Sequence, residues 1–575
     1  MAWTNEDVAR QFAEITTLLK LSGADPFRVR AYERAAGAIG AAPVDLSTLD
    51  EGGIAALKGI GGSTAKKITE YLTTGKIDML EQLRATVPPG LVELIRVPGL
   101  GPKTATLLHD RLGIDSVDAL REAIETERLR GLPGLGAKTE ANLREAIARI
   151  GAKDTGRVPA ADAIAMAEEL CRRLAELPQV AQVTFAGSLR RMRETIGDID
   201  VLAASNEPGP VHAAFRDCDL VTDVLAAGDK KSSVLTRRGI QADLRVVEPE
   251  AYGAALVYFT GSKAHNVRIR ERAVRRGLML NEYGLFERET EQRLASHSEA
   301  DVYAALDLPF IPPPMREDTG EVEAAAAGDL PQVVTLADVR GDLHGHSDWS
   351  GDGKATLEEM VAAAAARGYE YWAVTDHAED LPMNGLSRER MMQRHKAIDA
   401  LQERYQMRIL TGAELNIDGD GGVDYDPEFL AGFDFCVASI HQLMTRPGPE
   451  QTRRIITAME NPHVHAIGHL TGRKIGKRPP YDIDLDAVLE AAVRTGTALE
   501  VNASPRRLDL SGDMVRRAVE AGVTLTISCD AHSVGDLASM RYGVATAQRG
   551  WATPGDVLNC RPLAGLEDFV TAKRS

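Results

Sequence analysis

Beyond residue 340 the chain carries its densest chemistry in nine residues: His344, His346, Asp352, His377, Glu414, His441, His469, Asp530 and His532. Most of them follow strand-like apolar runs. Val339 to Leu343 precedes His344, Tyr371 to Thr375 precedes Asp376-His377, and Val523 to Ser528 precedes Asp530. Side chains at the carboxyl ends of successive strands of an α/β barrel converge on one mouth, and imidazoles mixed with carboxylates suit divalent transition metals. A lone histidine is more often a satisfied core or surface residue. Strand-end His-x-His and Asp-x-His pairs with three further ligands need a different explanation, and a metal centre supplies it. Ions a few ångströms apart activate water and stabilise a leaving oxygen, so the predicted reaction is phosphoester hydrolysis.

A second constellation lies in the middle of the chain. Asp198-Ile199-Asp200-Val201-Leu202 alternates polar and apolar residues, and a period of two puts both carboxylates on one face of a strand. Asp243 occupies a similar alternating run, Ala242 to Val247. Three acids on neighbouring strands predict a hard-oxygen pocket for two magnesium ions and substrate phosphates. Val183 to Gly187 reads as a preceding strand and Ser188 to Arg193 as a turn that offers backbone amides to an anion. A bare Asp-x-Asp means little, since most are solvated strand ends. A Gly-Ser pair eleven residues ahead of one is a nucleotidyltransferase signal.

Both constellations resemble known families. Asp342-Leu343-His344-Gly345-His346-Ser347, Asp352-Gly353, Thr375-Asp376-His377, Glu414, Ser439-Ile440-His441, Gly468-His469 and Asp530-Ala531-His532 resemble the PHP (polymerase and histidinol phosphatase) superfamily across residues 336–575. The resemblance implies three ions: one on His344, His346, Glu414 and Asp530, one on Glu414, His441 and His469, and one on Asp352, His377 and His532, with Glu414 bridging. One departure is Ser350-Gly351-Asp352-Gly353, where Ser-Asp-Gly is commoner. Residues 1–315 resemble family X DNA polymerases through Gly187-Ser188-Leu189-Arg190-Arg191, Thr195 to Asp200, Asp243-Leu244-Arg245 and Tyr258-Phe259-Thr260-Gly261-Ser262-Lys263-Ala264-His265-Asn266. That likeness implies that Asp198, Asp200 and Asp243 are catalytic and hold metal, with Asp243 nearest the primer 3′-hydroxyl. It gives Gly187, Ser188, Arg191 and Gly197 to the triphosphate, Tyr258, Phe259, Gly261 and Asn266 to sugar and base, and Arg270 to the template side. Met192 stands where a glycine is usual.

The amino-terminal third repeats one pattern three times, at Leu57 to Ala65, Val97 to Ala105 and Leu132 to Glu140. Each copy is a Gly-x-Gly turn (Gly59 and Gly61, Gly99 and Gly101, Gly134 and Gly136) leading into a helix, and Lys103 and Lys138 follow two of them. Paired glycines allow close backbone approach, and a helix amino terminus presents free amides to phosphate. One copy could be an ordinary helix connection; three are not. The pattern resembles the helix-hairpin-helix motif, a sequence-independent binder of DNA backbone. Lys67 aligns with the Schiff-base lysine of family members that remove 5′-deoxyribose phosphate, although an exposed phosphate-contacting lysine is an equal reading. Arg473 and Lys474, close behind His469, are candidates for DNA-backbone contact; a basic run is otherwise a solvated loop.

The elements needed to position these residues fix the expected organisation. An α-helical, helix-hairpin-helix amino-terminal region (1–85 with the first hairpin, 86–152 with two more) leads into an α+β nucleotidyltransferase palm (153–247) and thumb (248–315). A Pro- and Ala-rich linker (316–335) then separates these from a distorted, TIM-like α/β barrel (336–575), leaving two self-contained cores. The 575 residues suit several domains. No apolar run is long enough to span a membrane, residues 1–20 read as a charged amphipathic helix, and five cysteines without paired spacing favour a reducing cytoplasm. A net charge of −17 is unusual for a DNA binder. Basicity is local, at Arg190, Arg191 and Arg193, at Lys230-Lys231 and along Arg268 to Arg276, which suits recognition of gaps and ends. The expected protein is a cytoplasmic, nucleoid-associated monomer that fills gaps in nicked or gapped DNA from dNTPs with Mg²⁺ or Mn²⁺, and trims 3′ ends as a 3′–5′ exonuclease with up to three Mn²⁺ or Zn²⁺ ions. A small-molecule phosphatase would leave the hairpins and palm unexplained, and a non-catalytic DNA-end scaffold the intact acids.

Overall fold

A computed structural model describes residues 5–40, 46–57, 60–95, 97, 100–126, 128–132, 135, 143, 157–228 and 230–574. The chain divides into two compact units, Met1–Gly156 and Arg157–Ser575.

The first unit is helical. Helices α1 (Asn5–Leu21), α2 (Pro26–Gly40), α3 (Gly62–Thr74) and α4 (Pro102–Leu112) are its longest described elements. On α1, Val8, Phe12, Ile15 and Leu19 recur at helical spacing and are buried, one apolar stripe turned to a core shared with Ile39, Ile68 and Leu108. Gly61 and Gly101 cap α3 and α4 in extended conformation with no side-chain cap, which leaves the amides of Gly62 and Ser63 in α3 and of Lys103 in α4 open to a ligand, Pro102 having no N–H. Two of the three expected turn-to-helix junctions are thus present. Gly59, Gly99, Gly134, Gly136 and Lys138 lie outside the described residues.

The second unit begins with helix α5 (Ala160–Ala175) and a five-stranded sheet: β1 (Gln182–Phe185), β2 (Asp198–Ala204), β3 (Val221–Ala227), β4 (Lys231–Thr236) and β5 (Gln241–Val247), in the order β1-β2-β5-β4-β3. Only the β2 and β5 pair is parallel, and its register sets Asp200 beside Asp243. Between β1 and β2 the expected turn opens with a short helix, α6 (Gly187–Arg190). Helices α7 (Tyr252–Thr260) and α8 (Lys263–Arg275) and a three-stranded antiparallel sheet, Leu278–Asn281, Gly284–Glu287 and Arg293–Ala295, follow.

Residues 316–335, expected to be a linker, are folded. Arg316 is fully buried, donating to Glu299 at 2.6 Å and to the Ile311 carbonyl at 2.8 Å. Helix α9 (Glu321–Ala327) carries Glu321, buried 2.6 Å from His265 Nδ1. Proline and charge count as solvated on composition alone, but here every charge named has a distant partner, and an alanine run is the best helix former.

Seven parallel strands then form the barrel in sequence order: β6 (Gly341–Gly345), β7 (Tyr371–Val374), β8 (Arg408–Asn416), β9 (Phe435–Ser439), β10 (Ala466–Ile467), β11 (Ala498–Asn502) and β12 (Leu525–Ser528). A parallel bridge between Gly345 and Ala531 ties the first strand to the end of the last. Every residue of β6, β7, β9, β11 and β12 is buried, as strands covered on both faces should be. His344 lies inside β6, not beyond it.

Palm and barrel are not separate cores. Leu508 and Tyr542 of the barrel belong to the apolar cluster of α5 and the palm sheet, and Arg541 donates to Glu168 at 2.5 Å. Arg549, at the end of helix α10 (Met540–Arg549), donates from Nη2 to the carbonyls of Arg191 (2.5 Å) and Met192 (2.6 Å). The expectation of two independent halves is therefore corrected: apolar spacing identifies each core but carries no information on which exposed faces meet.

Candidate active sites

At the palm centre the ligand oxygens of Asp198, Asp200 and Asp243 lie within 4.8 Å of one another. Period-two alternation on β2 puts the first two on one face, and register adds the third. Gly187 sits against them with φ of 61°, and a Cβ built there would lie 2.2 Å from Asp200 Oδ2. Burial, then the charges of Asp198 and Asp243, push the Asp200 carboxyl up to about 6. Asp243 moves the other way. Burial opposes its charge, but the Lys231 ammonium at 2.6 Å, with Ser233 and Gln241, holds it below the ordinary range. Three crowded acids with one forced upward are a site short of positive charge, which fits divalent ions.

The phosphate-side residues surround this centre. Ser188 is half-buried on α6. Gly197 is exposed beside Asp198, with only Arg157 near its absent Cβ, at 3.8 Å. Arg191 donates to Glu317 at 2.9 Å and to the Thr260 carbonyl at 2.8 Å, so its charge is already paired. Met192 has φ of 52°, left-handed backbone that glycine adopts without cost, which accounts for the glycine expected there. Tyr258 and Phe259 meet edge to face with centroids 5.0 Å apart, and Arg245 covers Phe259 at 4.6 Å. Asn266 donates to the Tyr258 carbonyl at 2.6 Å while its buried Oδ1 has no partner, and Gly261 leaves room for that oxygen. Arg270 donates to the Asn266 carbonyl at 3.1 Å.

At the barrel mouth all nine expected ligands come together. His344, His346, Glu414 and Asp530 form one group with ligand atoms within 4.8 Å, His377, Glu414 and His441 another, and His346, His377 and His532 a third. His441 and His469 approach Glu414 Oε1 at 3.1 and 3.0 Å, and His377 approaches Oε2 at 2.9 Å. Asp352 Oδ2 lies 3.2 Å from His377 and 3.3 Å from His532, so the extra Gly351 does not displace it. Burial disfavours charge on Glu414, yet the imidazoles of His441, His344 and His377 hold it well below the usual range. Burial and the neighbouring His532 and His377 push His346 down to about 4. Buried His344 Nε2, both nitrogens of His346, and Glu414 Oε2 have no hydrogen-bond partner. Against their burial, the carboxylates of Glu414, Asp352 and Asp530 hold His377 up to about 10 and keep His344 and His532 raised as well. Imidazole nitrogens and carboxylate oxygens that converge with so few hydrogen bonds between them are what a polynuclear cation site requires, and bound cations would displace those protons. His469 and Asp530 have φ of 27° and 51°, backbone strain held at two ligands.

Several working residues were not singled out by the sequence. Glu500 Oε1 lies 2.7 Å from His344 Nδ1, Asn502 donates to Glu500 and to Asp530, and Asn416 Oδ1 lies 2.7 Å from His441 Nδ1. Alternation in Glu500-Val501-Asn502 on a barrel strand was the available signal. Arg473 is corrected: it donates to Glu194 at 2.8 Å and 3.3 Å, to the Arg507 carbonyl at 2.9 Å and to the Leu508 carbonyl, so it braces the palm and has no charge left for DNA. Lys474 is exposed. In the first unit, Lys67 Nζ donates to Ser63 and lies 6.0 Å over the Tyr32 ring, and Lys103 stands in the first turn of α4.

Sequence comparisons agree with this geometry. Family models match as helix-hairpin-helix domain (residues 3–77), SAM-like helix-hairpin-helix tandem (91–149), DNA polymerase beta thumb (255–317) and PHP domain (342–504). A Bacillus subtilis protein named DNA polymerase/3′-5′ exonuclease PolX is 40% identical over 98% of this chain and 99% of its own length. Proteins named probable phosphatase match a part: one from Syntrophotalea carbinolica is 30% identical over 40% of this chain and 95% of its own, and one from Acetivibrio thermocellus 34% identical over 28% and 64%.

Proposed function

This chain belongs to the family X DNA polymerases with a carboxyl-terminal PHP domain, and on that footing we propose that it fills short DNA gaps at the palm and trims 3′ ends at the barrel. It is a DNA-directed DNA polymerase with 3′–5′ exonuclease activity. The observation that carries this is the pairing, in one chain, of three clustered aspartates with a His, Asp and Glu cluster. Bound divalent ions would supply Lewis acidity to phosphoryl transfer at both centres. Mg²⁺ or Mn²⁺ fits the all-oxygen palm, and Mn²⁺ or Zn²⁺ the imidazole-rich barrel, with up to three ions.

Asp198, Asp200 and Asp243 are the proposed catalytic acids. Gly187 lets the start of α6 come up against the Asp200 carboxylate, and Ser188 and Gly197 flank the path of a triphosphate. Arg191 would reach that triphosphate by exchanging its Glu317 partner, so Glu317 competes with the nucleotide for the same guanidinium. Tyr258, Phe259, Gly261 and Asn266 line the sugar and base side, with Arg270 behind them. In the barrel, Glu500 and Asn416 occupy Nδ1 of His344 and His441, leaving each Nε2 for the cluster. The free amides at Gly61 and Gly101 would hold DNA backbone, with Lys103 and Lys67 near them. Gapped or nicked DNA and dNTPs are the proposed ligands, a monomer the proposed form, and the nucleoid-bearing cytoplasm the proposed location; among the described residues no helix is long and apolar enough to cross a membrane.

The test is a labelled gapped duplex incubated with and without dNTPs in Mg²⁺ or Mn²⁺. Extension with dNTPs and release of 3′ nucleotides without them are expected. Preferential hydrolysis of small phosphomonoesters with no action on DNA would support the phosphatase alternative and refute this function.

A further inference from the structure

We propose that Arg507, with Lys474 and Arg478, forms a phosphodiester-binding subsite beside the barrel cluster: Arg507 takes an oxygen of the scissile phosphate, and Lys474 and Arg478 take the next phosphate along the strand. The proposal rests on the barrel acting as a nuclease and names its anion contacts.

Arg507 lies in the turn that follows β11, where its amide donates to Ser504 at 2.8 Å. Its side chain is 16% exposed, and Nε is 3.4 Å from Asp530 Oδ2, so the guanidinium borders the cluster. Its Nη1 is buried with no partner. An arginine carries five donors and gives none up to deprotonation, so a buried, unused N–H at a cation site's edge is a group prepared for an oxyanion.

Two further cations stand close by. The segment Arg473 to Arg478 is zipped to the same turn: Arg473 Nε donates to the Arg507 carbonyl and the Ile475 amide to the Arg506 carbonyl at 2.8 Å. Lys474 and Arg478 exchange backbone hydrogen bonds at 2.9 and 2.8 Å. Partial burial and the charges of Arg507 and Arg478 hold the Lys474 ammonium below its usual range. Burial and Arg507 do the same to Arg478.

The acids nearby do not neutralise this group. Asp530 is shared, with Oδ1 3.3 Å from His346 while Oδ2 accepts from Asn502 at 3.2 Å and meets Arg507 Nε. Asp509 is buried, accepts from the Thr471 amide and hydroxyl at 3.0 and 2.9 Å, and is pushed up to about 6 by its burial. Three cations against one shared carboxylate favour an incoming polyanion. Arg473, fully satisfied by Glu194 and two carbonyls, shows the contrast.

The experiment compares full-length Arg507→Gln, Arg507→Lys and the double variant Lys474→Gln/Arg478→Gln on two substrates, a 3′-labelled oligonucleotide and thymidine 5′-p-nitrophenyl phosphate, with Glu414→Ala as control and metal content measured throughout. Arg507→Gln should lower kcat about 10²-fold on both substrates with metal retained, as loss of one oxyanion donor does, and Arg507→Lys should recover part of that loss. The double variant should raise KM about tenfold on the oligonucleotide, weaken its salt dependence and leave the one-phosphate ester unaffected. Wild-type hydrolysis by Arg507→Gln, or loss of metal together with activity, would overturn the subsite, the second by reducing Arg507 to a brace for Asp530. Equal effects of the double variant on both substrates would overturn the second phosphate contact. Persisting hydrolysis in Glu414→Ala would instead refute the nuclease assignment itself.

Discussion

Gly187→Ala isolates the palm centre with one methyl group. The glycine has φ of 61°, and L-residues other than glycine pay about 1–2 kcal/mol for that conformation. The new Cβ would lie 2.2 Å from Asp200 Oδ2 and 3.1 Å from its Cγ. Contacts under 3.0 Å are essentially never seen, so the carboxylate or the α6 backbone must retreat by close to an ångström. Displacement by ~1 Å in a preorganised site costs ~10²-fold in rate. The expected result in single-turnover incorporation on a one-nucleotide gap is a fall of about that size, with a slightly lower Tm. Release of 3′ nucleotides from the same DNA should continue, because no barrel ligand touches Gly187. Incorporation within threefold of wild type would refute the reasoning, since it would mean that Asp200 is not held by this close approach.

Glu414→Ala should abolish 3′-end hydrolysis and lower the metal content measured by elemental analysis, because its two oxygens meet His441, His469 and His377; a full metal complement would contradict the bridging role. Gly61→Val with Gly101→Val should leave the fold intact, as among the described residues no atom beyond the chain neighbours lies within 4 Å of either added Cβ and neither φ is positive, yet weaken binding to gapped DNA of any sequence in a fluorescence titration. Undiminished affinity would return those turns to a structural role. Asp200 supplies a pH dependence. Its folded carboxyl is raised from 3.8 to about 6, so stability from its neutral form is complete below 3.8 and lost as pH rises through about 6. Metal-free protein should therefore lose stability between pH 4 and 6.5, and Mg²⁺ should bind about tenfold more weakly for each unit below 6. A Tm profile unchanged in Asp200→Asn would show that another group titrates.

The sequence made these sites legible because metal chemistry tolerates few residue types. Asp198 and Asp200 could be placed on one face from a period of two, and His344 with His346 likewise. Glu500 and Asn416 could not be placed, since an acid or amide within a strand run looks the same whether it orients an imidazole or faces water. Arg316, Arg473 and Arg549 were opaque for a related reason: each is defined by a partner far along the chain, and composition assigns a lone arginine to solvent. The folded stretch at 316–335 combined both problems. Its prolines and charges imitate a spacer, while Glu321 finds His265 and Arg316 finds Glu299 only in three dimensions.

The clasp of Arg549 on the Arg191 and Met192 carbonyls also has a meaning in time. The two ends of that contact are 358 and 357 residues apart. Chains emerge from the ribosome amino terminus first, at ~5–20 residues per second, so the palm and its three aspartates are outside for some tens of seconds before the arginine that steadies their neighbouring turn exists. During that interval the turn has two carbonyls without their donor and a left-handed Met192 without its brace, and a product ending early would stay in that state. The turn beside the three aspartates thus takes its final hydrogen bonds only after helix α10 of the barrel has been made.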